Sequence, residues 1–441
     1  MKLTFDVPEA LFNEMLGHIE IPPLVPVRQR IETPQGLPDV ESATREAQHA
    51  LGAVVFAGER IAIAVGSRGI GHLPEVVRGV VAELKAAGAE SFIVPAMGSH
   101  GGATAEGQRE VLEHLGITEA LVGAPVVSDM VTEVVGQLED GTPVHMDRHA
   151  LAADGIVMVV RVKPHTAFRG RYESGLAKMI AIGLGKQVGA SLTHARGFGE
   201  IARMVPDMAG VALRETKIRF GIAVLENAHD QPYRIVAVPA GRIMDEEPEL
   251  LDEARATMPR IPFPRFDVLV IDRIGKNISG DGADPNITGR YPTPFASGGP
   301  QVTRQVVLDL TPESAGNANG AGTADFTTVR LASKMSFAGT YPNALTSTVP
   351  RPVALPMVLP NDRLAIAAAL QTCNAVGRVP TVVRIVDTLH LEYFWASESL
   401  LVATHDEEVV ESLAAAGALH FDDAGNLTDL GQVPDIRAGV Q

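Results

Sequence analysis

The stretch RVKPHTAFRGRYESGLAKMIAIGLGKQVGASLTHAR, Arg161 to Arg196, decides how this chain is read. It follows an apolar run, Ile156 to Val160, whose length and β-branched content fit a buried strand. The stretch then packs Pro164-His165, several Lys and Arg, five glycines and His194 into one connection and the helix after it. A strand ending in a polar, Gly-rich loop that opens a helix is where α/β proteins place their ligands. Lys178 and His194 lie inside apolar helical text rather than on a solvated face.

Working outward, the same alternation of strand and helix extends on both sides. Ile61–Val65 reads as a buried strand followed by Gly66-Ser67-Arg68-Gly69. The next helix puts Val76, Val77, Val80, Val81 and Leu84 on one face and stops at Gly88. Phe92–Met97 is a second strand, ending in Gly98-Ser99-His100-Gly101-Gly102, with Thr104 as N-cap of a helix reaching His114. A strand is expected near Pro125–Val127, and two more at Ile218–Val224 and Arg234–Val238. A polar helix, Asp245–Ala256, leads to MPRIPFPRF, whose prolines mark a domain boundary near Pro262. A second α/β unit opens with FDVLVID, Phe266–Asp272, and continues through the helix Asp362–Thr372 and the strand Val382–Asp387.

The expected fold class is therefore α/β, with two domains of mainly parallel sheet and the active site in the cleft between them. The boundaries are 1–262 for a cofactor-binding and catalytic domain, 263–395 for a substrate or cap domain, and 396–441 for a tail. The proline-bearing first fifty residues read as an extended lead-in, and the chain after Asp406 as one helix and a loose end.

Composition limits the partners. The 441 residues are 46% hydrophobic and 20% charged, with a formal charge of −16. That charge excludes nucleic acid and an anionic membrane surface as main partners, and an anionic substrate needs a local cluster of Lys and Arg. No apolar run reaches the roughly 18–20 residues of a membrane span. The start lacks a signal-peptide core, so the expected location is cytoplasmic. The single Cys373 excludes an internal disulfide and a Cys-rich metal site.

Three strand exits carry Arg68, His100 and His165, and in a parallel sheet those exits share one edge. Two histidines there suit acid–base work, because imidazole titrates near working pH. Lys178, near a helix start, is placed for desolvation and covalent chemistry, whereas Lys163 and Lys186 read as lysines reaching solvent. The neighbourhood of His194 offers no HExxH and no adjacent carboxylate. From the residues alone, a metal-assisted hydrolase or lyase with His100, His165 and His194 as ligands remains open. So does a non-catalytic module binding a nucleotide or sugar acid.

The ordered set Ser67-Arg68, Gly98-Ser99-His100, Pro164-His165, Lys178 and His194 resembles the nickel-pincer-nucleotide-dependent lactate racemase family. The resemblance implies a racemase or epimerase, an isomerase that inverts the carbinol carbon of a hydroxy acid. Hydride would move to and from a nickel complex of a dithio-modified pyridinium mononucleotide. Lys178 then matches the tethering lysine and His194 the protein ligand to nickel, while His100 and His165 match the acid–base pair. Ser67 and Arg68 fall at the cofactor, and Arg68 matches the arginine that holds substrate. Partners would be a small hydroxy acid and the enzymes of cofactor synthesis and nickel insertion.

The chain departs from that pattern in four places. Val65 stands where the family has an acidic residue, and Gly69 where it has proline. The loop before Lys178 is a few residues longer. In place of the Gln and Lys that meet the substrate carboxylate, this chain has IDRIGKNISGDGADPNITGR, offering Lys276, Asn277 and Arg290. These changes keep the cofactor and point away from lactate, toward another 2-hydroxy acid or a sugar acid.

Overall fold

The computed structural model describes residues 5–67, 69–404 and 409–434. The chain is mixed α/β, with mostly parallel sheets in two compact units, Thr33–Met258 and a second unit of Met1–Glu32 with Pro259–Gln441. Arg68 lies outside the described residues.

In the unit Thr33–Met258, strands β1 (Arg60–Val65), β2 (Glu90–Pro95), β3 (Gly155–Arg161), β4 (Ile218–Glu226) and β5 (Pro232–Pro239) form one sheet in the order β2-β1-β3-β4-β5. The first four run parallel, and β5 returns antiparallel to β4. Helix α1 (Leu73–Ala86) buries Val76, Val77, Val80 and Leu84 in one core with Ile61, Ile63, Val157 and Ile222 of the sheet. Four such side chains leaving water contribute on the order of 6–12 kcal/mol before chain entropy is counted. Because β2 and β3 lie on opposite sides of β1, chain direction switches there, and the crevice outside the strand ends opens between β1 and β3.

Helix α2 (Ala105–His114) starts at Thr104, whose hydroxyl accepts the Gly107 N–H at 3.0 Å. The expected strand at Pro125–Val127 is reduced to a single bridge, Ile93 to Val126. An antiparallel hairpin, Thr132–Gln137 with Pro143–Asp147, had no clear signal in the sequence. Helices α3 (Lys186–Ala195), α4 (Phe198–Glu215) and α5 (Ile243–Thr257) complete the unit. Pro248 inside α5 cannot donate to the Met244 carbonyl, and the Tyr172 hydroxyl does so instead at 2.5 Å.

The second unit holds β6 (Arg265–Ile274), β7 (Gln301–Leu310), β8 (Phe326–Thr328), β9 (Met357–Leu359), β10 (Val382–Ile385) and β11 (Tyr393–Ala396). Strands β6 to β10 are parallel and β11 is antiparallel to β10. Along β6, Val268 and Val270 pack with helix α6 (Asp362–Thr372), while Leu269 and Ile271 enter a different core on the other face. That alternation is what a sheet covered on both faces requires.

Two boundary expectations are corrected here. Residues 1–32 do not join the first unit, because Val25–Gln29 is a strand paired antiparallel to β11 and to Val410–Ser412. The lead-in also contains a helix, Glu9–Leu16, and a further helix spans Val40–His49 in the other unit. The tail is likewise part of the second unit. Its described residues after 408 contribute the strand Val410–Ser412 and Asp429, which pairs with the buried Arg384. No helix of the described residues is long and apolar enough to cross a membrane.

Candidate functional site

The C-terminal ends of β1, β2 and β3 lie on one edge of the first sheet and deliver Ser67, His100 and His165 there. Ser67 Oγ is hydrogen-bonded to His100 Nδ1, tying the β1 exit to the β2 exit. His165 follows β3 and is half-buried. Its ring lies 4.4 Å from that of Phe168, centroid to centroid, and 6.3 Å from that of Phe198. His165 Nδ1 accepts the Ala167 N–H at 3.0 Å, which leaves the proton of the neutral ring on Nε2.

The helical connection after this loop is irregular. Leu176–Lys178 begins as α-helix, and Met179–Gly183 widens to a π-helix with Leu184 N–H bonded to Met179 O at 2.9 Å. Such widening is concentrated at functional sites. Leu176 lies over Gly221 of β4, where a Cβ would collide with it, so the segment rests directly on the sheet. Lys178 Nζ stands 5.9 Å from the Phe168 ring centroid, and the His194 ring stands 5.4 Å from that of Phe198. Phe168 and Phe198 are themselves 6.4 Å apart, so His165, Lys178 and His194 gather around one aromatic pair. Burial, aided by the Lys178 charge, lowers the His194 pKa to about 4. Its imidazole is neutral at working pH, the form that ligates metals.

Several residues that shape this edge carried no recognisable sequence signal. Glu173 is fully buried and accepts the His165 N–H at 2.7 Å, the Gly170 N–H at 3.1 Å and Arg255 Nη2 at 2.6 Å. It fixes the loop that bears His165. Glu247 of α5, also fully buried, accepts the Ala177 N–H at 2.7 Å at the start of the Lys178 helix. Desolvation raises its pKa to about 7, against the opposing pull of the Ala177 and Leu176 N–H groups. Gly175 leaves the room that carboxylate occupies, since a Cβ there would strike Glu247 Oε1.

Lys186 corrects the expectation of a solvent-reaching lysine. It is fully buried, pairs with Asp147 at 3.0 Å, and donates to Pro95 O at 2.6 Å. Lys163 is partly buried, and its backbone bridges to Ser174.

In the second unit, Lys276 and Asn277 follow β6 at the C-terminal edge of that sheet. Lys276 Nζ donates to Gly280 O at 2.6 Å, and Asn277 Oδ1 accepts from Thr311 Oγ1 at 2.7 Å. Arg290 does not join them. Its guanidinium donates to Thr303 O and Asp325 Oδ2, both at 2.8 Å, where β7 and β8 begin. That is the opposite edge of the parallel sheet, and a structural ion pair already occupies the side chain. Among the described residues no group of three or more His, Cys, Asp or Glu side chains could hold a metal ion, and His100, His165 and His194 form none. This removes the support for a protein-built metal centre on those three histidines.

The fold is that of an α/β protein, with a histidine- and lysine-bearing candidate site at the strand ends of its first unit. Residues 66–246 match the model of a family described as a domain of unknown function, DUF362. No curated protein matches the chain. Among solved structures it is similar to the lactate racemase apoprotein from Thermoanaerobacterium thermosaccharolyticum, at 12% identity and a TM-score of 0.48, covering 83% of this chain and 98% of that one. A likeness this distant fixes neither reaction nor substrate.

Proposed function

We propose that this protein is an isomerase, a racemase or epimerase of the carbinol carbon of a 2-hydroxy acid or sugar acid. Lys178 would tether a nickel-pincer nucleotide and His194 would give nickel its one protein nitrogen. The observation that carries the reading is the gathering of His165, Lys178 and a neutral His194 on the Phe168–Phe198 pair. One imidazole and one amine suit a group that brings its other donors with it, because sulfur and carbon ligands need not come from the chain. When bound, such a group supplies a reversible acceptor for the carbinol hydride.

The chain's own part is proton traffic and orientation. His165 Nε2 and the His100 imidazole take and return the substrate hydroxyl proton, one for each isomer. Phe168 and Phe198 keep water from one side of Lys178 and His194, which sharpens the electrostatics there. Arg68 is the candidate for the substrate's carboxylate. Loading would require the cofactor-making and nickel-inserting enzymes.

Intact mass of protein expressed with and without those enzymes tests the reading. A mass increase should appear only with them, and peptide mapping should place it on Lys178. Lys178→Ala should abolish it. An adduct on Lys163, or no adduct in protein shown to be folded, would overturn the assignment.

A further inference from the structure

The loop that carries His100 is held from beneath by a chain of buried polar groups that the proposed reaction does not use. Gln108, on α2, is fully buried. Its Nε2 donates to Gly98 O at 2.8 Å and to His100 O at 3.2 Å. Its Oε1 accepts from Lys186 Nζ at 3.2 Å. A lysine ammonium has no acceptor, so the amide can be oriented only this way, with both of its N–H groups on the His100 loop. Lys186 in turn donates to Gln108 Oε1 and to Pro95 O at the end of β2, and its ammonium forms an ion pair with Asp147 Oδ2. Asp147 also accepts the His149 and Ala150 N–H groups, at 2.8 and 2.9 Å.

This arrangement is costly as packing alone. A buried ion pair stabilises a fold no better than apolar side chains of the same volume, and burial lowers the Lys186 pKa despite Asp147. Lys186 also adopts a left-handed backbone, φ 52°, which a side-chain-bearing residue enters reluctantly. That turn falls at the first residue of α3, just after the π-helical segment, and it sends the ammonium inward beneath the β2 exit. Nothing about stability explains why both Gln108 donors end on the backbone that presents His100. Control of that backbone does.

We propose that Gln108 and Lys186 are positioning residues, clamping the carbonyls of Gly98 and His100 so that the His100 imidazole stays fixed against Ser67 and the edge of the sheet. The importance of the clamp rests on the reading of His100 as a proton-transfer group. Its existence does not, and the test reads the clamp itself. The probe is the pH titration and ring tautomer of His100, followed by NMR in histidine-labelled full-length protein and assigned with His100→Gln.

Gln108→Met keeps the volume and removes the donors. The expected result is a shift of about half a pH unit or more in the His100 midpoint, as loss of one hydrogen bond to the ring would give, with His229 unmoved. A His100 titration and tautomer superposing on the wild type in folded Gln108→Met would overturn the proposal. Should that variant fail to fold, the wild-type protein still decides. The Gln108 carboxamide protons should exchange slowly with solvent, and fast exchange would overturn the clamp. An absent Lys178 adduct with a displaced His100 titration would sink the cofactor assignment and leave the clamp standing.

Discussion

Glu247 gives the sharpest stability prediction. Its carboxyl is fully buried, forms no ion pair among the described residues, and has one oxygen without a hydrogen-bond partner. In the unfolded chain it titrates near 4.5, and in the folded protein near 7. A folded pKa above the unfolded one means that the folded state holds the proton more tightly. The group's contribution to stability is therefore fully present below pH 4.5 and is lost as pH rises through 7. The shift corresponds to roughly 3 kcal/mol at 1.36 kcal/mol per unit. In a unit of this size it amounts to roughly 6–12 °C in melting temperature. Glu247→Gln keeps the shape and an acceptor for the Ala177 N–H but cannot ionise. Thermal unfolding of both proteins from pH 5 to 8.5 isolates the effect, because every other group cancels in the difference. The variant should gain on the wild type between about pH 5 and 7 and hold a constant lead above pH 8. Parallel curves across that range would refute the buried, uncompensated carboxylate.

Three further outcomes follow from the geometry. In loaded enzyme, His100→Gln and His165→Gln should each slow both directions of isomerisation together by about 10²–10⁴-fold, with little solvent deuterium entering the carbinol carbon; isotope tracing by NMR checks both, and full solvent exchange would contradict hydride transfer. Arg384→Ala leaves the buried Asp272 without its bidentate partner and releases Asp429 of the tail, so chemical denaturation should show the second unit weakened by about 3–5 kcal/mol. Gly175→Ala drives a methyl group into the Glu247 carboxyl and should cost about 1–3 kcal/mol, and adding Glu247→Ala should cost less than the sum of the two single changes.

The parts of the fold legible in sequence were those encoded by local period. Val76, Val77, Val80 and Leu84 recur at helical spacing and are buried as that spacing requires, and Ile61–Val65 and Phe266–Asp272 are apolar runs that became central strands. The helix Asp362–Thr372 has its expected bounds, capped by Asn361. What escaped was non-local. Val25–Gln29 is a strand only because Tyr393–Ala396 and Val410–Ser412 supply its partners. Its one proline, Pro26, and its short length gave no hint of that. The same holds at the site. His100 and His165 stand at strand exits, which topology alone puts on one edge, and Lys178 and His194 lie in helical text that meets His165 around Phe168 and Phe198. Gln108, Asp147, Glu173 and Glu247 look like surface polar residues in their own segments, and only the tertiary structure buries them. Arg290 errs the other way, since a cation in a Gly- and Asn-rich loop looked available and is bound to Asp325.

The two units bury their charges differently, and the difference bears on where function lies. In the second unit, Arg384 meets Asp272 and Asp429 and stacks 4.2 Å from the Trp395 ring centroid, while Arg330 meets Asp309 and Asp362. Asp267, Asp272, Asp362 and Asp387 each face a guanidinium there, which is how a fold pins a strand and a tail. In the first unit the buried charges, the Lys186–Asp147 pair included, also reach backbone. Glu173 spends its oxygens on the His165 loop as well as on Arg255, Lys186 and Gln108 reach the His100 loop, and Glu247 holds the Lys178 helix with no cation beside it among the described residues. Replacing a buried ion pair whole with apolar side chains of the same volume is often neutral for stability, so packing does not account for these groups. Their shared property is that each holds a segment bearing one of the candidate site side chains, His100, His165 or Lys178. Stability given up to hold three separate chain segments at one sheet edge is what a site demanding accurate placement of those side chains would require.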